Sequence, residues 1–136
     1  MTLKVIPSGL FAENQSVTLQ CELNPNPPTP IVVSFIIRLS SSNQSSLCAL
    51  ELSNGVCKET PNPCRITYNA SCPNDTLYKI HVAVSRSWNG ASVFCKTRYN
   101  WGDSVVFSVK GTYILIKQIV TTDLYSIITI QKTILL

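Results

Sequence analysis

Apolar and polar residues alternate at every second position in several short segments, and no segment shows a convincing helical period of 3.6 residues. Successive side chains of a β-strand point to opposite faces, so these segments predict strands with one buried face. The clearest are residues 16–23, 31–39, 77–85, 90–98 and 104–110. The side chains predicted to form the core are Val17, Leu19, Cys21, Leu23, Val33, Phe35, Ile37, Tyr78, Ile80, Val82, Val84, Ala91, Val93, Cys95, Val105, Phe107 and Val109.

The segments between these strands carry turn signals. Residues 24–30 include four prolines, which exclude a helix interior and a sheet ladder and predict a stiff, exposed connection. The Asn-Gly pair at residues 54–55 predicts a tight hairpin turn, and residues 40–46 read as a polar loop. Further short strands are expected at residues 2–6 and 65–68. Regular short strands with such connections predict an all-β fold of two packed antiparallel sheets.

Six cysteines form an even set, which suits an oxidising compartment, although about fifteen pairings are possible. Four of the cysteines lie close together in the middle of the chain: Cys48, Cys57, Cys64 and Cys72. Disulfides among them are expected to stabilise a segment rich in loops. A tight hairpin turn would set Cys57 opposite Leu52, so Cys48 and Cys57 would not be cross-strand partners. Cys48 can then pair with Cys64 or Cys72. No Cys-x-x-Cys pair is present, so we expect no metal site.

The surface is expected to be polar without being highly charged. Hydrophobic residues make up 45% of the chain and charged residues only 13%, about half the share of an average soluble protein. Four Asn-x-Ser/Thr sequons begin at Asn14, Asn43, Asn69 and Asn74. Together with six cysteines, they favour a secreted or cell-surface glycoprotein, and hence an extracellular location.

The net charge of +4 is modest, and it does not indicate a nucleic-acid partner. The basic residues are scattered singly along the predicted strands, where we expect their side chains to be exposed to solvent. They are Lys79, Arg86, Lys96, Arg98 and Lys110. A nucleic-acid-binding protein usually gathers its basic residues on one face.

Catalytic patterns are also missing from the sequence. His81 is the one histidine, is expected to face solvent, and has no second histidine or paired cysteine and carboxylate to act with. No nucleophile elbow, phosphate loop or zinc-hydrolase motif occurs. The sequence therefore predicts a protein that is not an enzyme and needs no cofactor.

Residues 5–110 resemble a domain of the immunoglobulin superfamily. The resemblance is to the C2-type or I-type domains found in adhesion proteins and immune receptors. The resemblance rests on residues 16–21 as strand B, Phe35 in strand C, residues 77–84 as strand E, residues 89–95 as strand F and residues 105–109 as strand G. Phe35 stands near the position where these domains usually place a tryptophan, and Val93 stands where many have a tyrosine.

The resemblance implies an antiparallel two-sheet sandwich over residues 1–110, with a disulfide between Cys21 and Cys95 that joins the sheets. Residues 111–136 fall outside it and form a tail of uncertain structure. The implied function is recognition or adhesion through a protein ligand. Aromatic residues at predicted loops, namely Trp88, Tyr99 and Trp101, are the candidate contacts because Trp and Tyr are enriched at binding hot spots. The alternative is a small secreted disulfide-rich effector or inhibitor.

The two ends of the sequence suggest a piece of a longer protein. Residues 1–5 carry neither the basic start nor the apolar run of a signal peptide. Residues 113–136 are rich in Ile, Thr and Leu, but polar and charged residues interrupt them, so a membrane-spanning helix is not expected. Membrane tethering would then depend on parts of the protein that this chain does not contain.

Overall fold

A computed structural model describes residues 1–61, 64, 67–110, 113–121 and 127–135. Among these residues it contains strands and one 3-10 turn (Arg86–Trp88) but no α-helix, so the prediction of an all-β protein is confirmed. The strands are β1 (Thr2–Ile6), β2 (Leu10–Ala12), β3 (Ser16–Glu22), β4 (Ile31–Ser40), β5 (Asn43–Ser53), β6 (Val56–Thr60), β7 (Thr67–Asn74), β8 (Leu77–Ala83), β9 (Ser92–Lys96), β10 (Val105–Val106), β11 (Ser108–Lys110), β12 (Tyr113–Thr121) and β13 (Ile127–Leu135).

Two antiparallel sheets contain most of these strands. The first sheet has the order β1-β3-β8-β7, and the second has the order β10-β9-β4-β5-β6. The inward-facing residues of both sheets join in a single apolar core. Every predicted core side chain lies in it, with Leu23 and Val105 only partly buried at its margin. The alternation along the strands therefore identifies the buried faces correctly.

Two further strand pairs lie outside these sheets. β2 pairs in parallel with β11, beyond the turn at residues 7–9 where Gly9 adopts a φ of 111°. β12 and β13 pair with each other in antiparallel register, which gives the tail a regular backbone that the sequence did not predict. No helix in the described parts of the chain is long and apolar enough to cross a membrane.

Three disulfides connect the strands. Cys21 on β3 is bonded to Cys95 on β9, and this bond joins the first sheet to the second. Cys48 on β5 is bonded to Cys64, one of the two partners that the sequence left open. The third bond ties the β5–β6 hairpin of the second sheet to β7 of the first sheet, by joining Cys57 to Cys72.

The turns agree with the sequence at one hairpin and differ at another. Asn54 and Gly55 have φ angles of 52° and 74°, and Leu52 lies opposite Cys57, as the Asn-Gly pair predicts. The polar loop expected at residues 40–46 is wrong, because β5 already begins at Asn43 and only residues 41–42 turn the chain. The strand expected at 65–68 is seen from Thr67 onward, and residues 65 and 66 lie outside the described residues.

Among the residues whose burial the structure describes, Tyr78 is the largest fully buried side chain, and its hydroxyl is hydrogen-bonded. The Tyr78 O–H donates a hydrogen bond to the backbone carbonyl oxygen of Asp75 at 3.1 Å. Burial, with a smaller contribution from the Asp75 carboxylate, raises the pKa of Tyr78 to about 12. The folded protein therefore holds this proton more tightly than the unfolded chain, in which a tyrosine has a pKa of about 10.

We expect the free energy of unfolding to fall as pH rises from about 10 toward 12, because the unfolded chain then loses the Tyr78 proton first. Below pH 10 this contribution is fully present. Tyr78→Phe should remove that part of the pH dependence and cost about 1 kcal/mol at neutral pH, since the Asp75 carbonyl loses its donor. Urea unfolding at several pH values measures both effects. Tyr99→Phe, at an exposed tyrosine, is the control and should behave as the wild type, whereas an unchanged pH profile in Tyr78→Phe would contradict the assignment.

Candidate functional site

The outer face of the second sheet carries two aromatic rings between two cations. The rings of Phe94 and Trp101 are stacked, with centroids 5.2 Å apart and planes 29° from parallel. The Cζ atom of Arg38 lies 5.2 Å from the Phe94 centroid, and the Nζ atom of Lys96 lies 4.4 Å from the Trp101 centroid. Both distances are within the range of cation–π attraction. We call Arg38, Phe94, Trp101 and Lys96 the cation–aromatic stack.

Strand alternation and register bring the stack together. Val93 and Cys95 point into the core, so Phe94 and Lys96, the residues between and after them on β9, belong to the outer face. The antiparallel pairing of β4 with β9 sets Ile36 opposite Phe94 and Arg38 opposite Ser92. Phe94 is only 4% exposed although it faces outward, because the neighbouring side chains of the stack cover its ring.

The loop at residues 97–102 fixes the position of Trp101. The Thr97 N–H donates to the Asn100 carbonyl oxygen at 2.8 Å, and the Gly102 N–H donates to the Cys95 carbonyl oxygen at 2.7 Å. Gly102 packs closely on Cys95, because a Cβ atom there would lie 3.1 Å from both the carbonyl oxygen and the Sγ atom of Cys95. The loop is thus anchored on the disulfide that joins the sheets.

Two of the three aromatic residues expected to contact a partner lie on this loop. Tyr99 and Trp101 are 59% and 56% exposed, and the Cζ atom of Arg98 lies 5.6 Å from the Tyr99 centroid. Trp88 is different, because the 3-10 turn directs its indole inward, 5.7 Å from the ring of Phe107 and only 7% exposed. It is a core residue, and the expectation that Trp88 lies on a binding surface has to be withdrawn.

A shallow depression adjoins the stack on the same face. Its volume is about 280 Å³, and it is lined on one side by the small or apolar residues Ser34, Ile36 and Ser46. On the other side it is lined by Lys96 and Arg98. A smaller cleft of about 90 Å³ lies at the end of the protein, between the proline-rich connection and residues 97–100.

The cations of this face have no acidic partner within the described residues. The Nε and Nη2 atoms of Arg38 donate to Oε1 of Gln44 at 3.2 and 3.0 Å, which orients the guanidinium but leaves further N–H donors. Over the ranges that the structure describes, the one ion pair joins Lys4 to Glu22 on the first sheet. The outer face of β4 and β9 is therefore positively charged.

No group of three or more His, Cys, Asp or Glu residues in the described parts of the chain could hold a metal ion. His81 does not simply face solvent, as the sequence suggested. It is half-buried on β8, and its Nδ1 atom is 2.9 Å from Oγ1 of Thr18 on β3.

The four sequon asparagines are all exposed. Asn69 and Asn74 lie on β7, the outer strand of the first sheet, and Asn14 lies between β2 and β3. The Oδ1 atom of Asn74 accepts hydrogen bonds from the N–H and hydroxyl of Thr76, the third residue of its sequon. Asn43 begins β5. Glycans at three of the four sites would thus leave the β9 side of the second sheet uncovered.

Sequence reasoning missed Arg38 and Phe94 and took Lys96 for an ordinary solvated lysine. One signal was present, because an aromatic residue between the inward-facing Val93 and Cys95 has to point outward. A large aromatic on an outer face needs cover or a partner. The contacts with Arg38 and Trp101 depend on strand pairing and on the loop conformation, which alternation does not specify.

Comparison with known proteins gave no assignment. No protein-family model matches this chain, and no curated protein was found to match it.

Proposed function

We propose that this chain is an extracellular, non-enzymatic binding module with an immunoglobulin-like sandwich fold, which recognises another protein through its second sheet and the loop that follows β9. The immunoglobulin sandwich places strands A, B, E and D in one sheet and strands G, F and C, with C′ in some members, in the other. The orders β1-β3-β8-β7 and β10-β9-β4-β5-β6 are compatible with these sheets, with β6 as a further strand beyond C′. The disulfide between Cys21 and Cys95 then corresponds to the usual bridge between strands B and F.

The observation that carries the binding function is the exposed pair of aromatic residues on an anchored loop. Tyr99 and Trp101 each leave more than half of their surface in water, although burial of such side chains is strongly favourable. The hydrogen bonds of residues 97–102 hold them in place before any partner arrives. Rigid, exposed aromatic residues of this kind are typical of hot spots in protein interfaces.

An extracellular location is supported by the bonding state of the cysteines. All six cysteines are in disulfides, which persist in secreted and cell-surface proteins and are rare in the cytosol. The exposure of all four sequons is compatible with N-glycosylation. Adhesion and immune recognition are the functions of this kind that the immunoglobulin resemblance suggests.

The two central disulfides favour a second candidate, a small secreted effector or inhibitor. They join Cys48 to Cys64 and Cys57 to Cys72 within a short stretch of chain, which is typical of small secreted proteins that act alone. Such a protein would block an enzyme or a receptor in solution. An adhesion module would instead bind a cell-surface partner without blocking a catalytic reaction.

The test uses the full chain, secreted from eukaryotic cells, made oligomeric by a fused tag and screened against a display library of ectodomains. We expect saturable binding to a defined ectodomain that falls at least tenfold when Tyr99→Ala and Trp101→Ala are combined. The control is the pair Leu10→Ala and Val56→Ala, since Leu10 and Val56 are exposed to a similar degree, 56% and 55%, but lie elsewhere.

Retained binding by the Tyr99 and Trp101 double variant, with an unchanged melting temperature, would reject the aromatic loop as the binding site. Inhibition of a protease by the monomeric chain would favour the effector function. Turnover of ester, peptide or phosphate substrates would reject the non-enzymatic proposal.

A further inference from the structure

We infer that the partner docks on the outer face of β4 and β9 through an acidic protein segment, whose carboxylates lie against Arg38, Lys96 and Arg98. The inference rests on the proposed binding function and adds the chemistry of the ligand to it. It follows from the charge of the face, the spacing of its cations and the shape of the surface between them.

No acidic side chain of the described residues forms an ion pair with the cations of the face. The ion pair between Lys4 and Glu22 lies on the first sheet, and Arg38 is bonded to the neutral amide of Gln44. Glu51 of β5 lies in register between Val32 of β4 and Lys58 of β6, and it forms no ion pair with Arg38, Lys96 or Arg98. Lys96 is half-buried against Trp101, so a carboxylate placed beside it gains more than it would beside a fully hydrated lysine.

The spacing of the cations fits an extended segment. Arg38, Ile36 and Ser34 are the outward-facing positions along β4, and Ser34 lies opposite Lys96. Arg38 lies four residues along β4 from Ser34, the register partner of Lys96, so the two cations are roughly 13 Å apart in the direction of the strands. Carboxylates four residues apart on an extended partner segment have this same separation.

The depression beside Lys96 and Arg98 has room for one side chain of the partner. It is bounded by Ser34 and Ser46 on one side and by Lys96 and Arg98 on the other, and its volume of about 280 Å³ exceeds that of a carboxylate side chain. A carboxylate there would meet two cations and the hydroxyl groups of two serines. Trp101, beside it, supplies apolar area for a neighbouring side chain.

The apolar rim favours a protein over an anionic polysaccharide. Val32, near the start of β4, is 36% exposed, and Trp101 is 56% exposed. Together with the cations they form an open surface rather than an enclosing pocket of the kind that small ligands occupy. Apolar side chains of a protein cover such a rim, whereas a highly sulfated chain leaves it in water.

The experiment selects peptides from a random 12-residue phage library on the folded, immobilised full chain. The comparison variant combines Arg38→Gln, Lys96→Gln and Arg98→Gln. The matched control combines Lys79→Gln, Arg86→Gln and Lys110→Gln, which changes the net charge equally at positions away from the face. Affinities of the selected peptides are measured by fluorescence anisotropy at 50 and 200 mM salt, and a heparin oligosaccharide is tested in parallel.

We expect peptides enriched in Asp and Glu, with Kd values that rise at least tenfold in the comparison variant and less than twofold in the control. Enrichment of peptides without acidic residues, or equal binding to the comparison variant, would overturn the acidic ligand while leaving the binding function intact. If heparin binds through the same three cations and no acidic peptides are selected, the ligand is an anionic polysaccharide and the inferred protein segment is wrong. A failure of the proposed function itself would instead appear in the ectodomain screen with the Tyr99 and Trp101 variant.

Discussion

Replacing both Cys21 and Cys95 by alanine is expected to lower the free energy of unfolding by about 4 kcal/mol. The bond joins residues 74 positions apart, so its removal restores a large conformational entropy to the unfolded chain. Both sulfur atoms are also fully buried between the sheets, and their loss leaves unfilled volume in the core. Denaturant unfolding under oxidising conditions, with the other two disulfides intact, measures the change.

The matched control for this prediction is the double replacement of Cys57 and Cys72 by alanine. That bond spans only 15 residues, and the same entropy argument gives a loss of about 3 kcal/mol. The bond between Cys21 and Cys95 should therefore contribute about 1 kcal/mol more. An equal or smaller loss on its removal would show that it does not organise the two sheets.

Phe35→Ala is expected to lower the free energy of unfolding by about 3 to 5 kcal/mol, the usual range for a fully buried phenylalanine. Phe35 has no exposed surface, and on β4 it is the register partner of Cys95 on β9 and of Cys48 on β5. It thus lies beside two of the three disulfides. The truncation would open a cavity at the centre of the core, where bonded neighbours have little freedom to collapse into it.

Phe35→Leu is the matched control, and it should cost less because most of the apolar volume is kept. Val56→Ala, at a site 55% exposed, should change stability by less than about 0.5 kcal/mol. Thermal and chemical unfolding of the three variants give the ranking. A loss of under about 1 kcal/mol for Phe35→Ala would contradict the central position of this ring.

Much of the core could be predicted from sequence because strand geometry alone decides which side chains share a face. Val33, Phe35 and Ile37 share the inward face of β4 and all three are buried, whereas Val32 and Arg38, on the other face, are exposed. Trp88 shows the limit of this reasoning. It lies outside every alternating segment, so its position suggested exposure, but contact with the distant Phe107 buries it.

The candidate site could be predicted only in part, because it depends on contacts between distant segments. Tyr99 and Trp101 were recognisable as aromatic residues in a loop, but Arg38 reaches Phe94, the ring stacked on Trp101, only through the pairing of β4 with β9. The partners of the central cysteines likewise depend on how β5, β6 and β7 are arranged. The pairing of β12 with β13 had no alternating pattern to indicate it.

The proposed immunoglobulin-like sandwich and its proposed binding face both depend on the bond between Cys21 and Cys95. A non-reducing peptide map by mass spectrometry, on the chain expressed through a secretory pathway, tests it most directly. We predict bonded peptides for Cys21 with Cys95, Cys48 with Cys64 and Cys57 with Cys72. Free thiols at Cys21 and Cys95, or a bond from either to one of the four central cysteines, would contradict the fold and the function proposed from it.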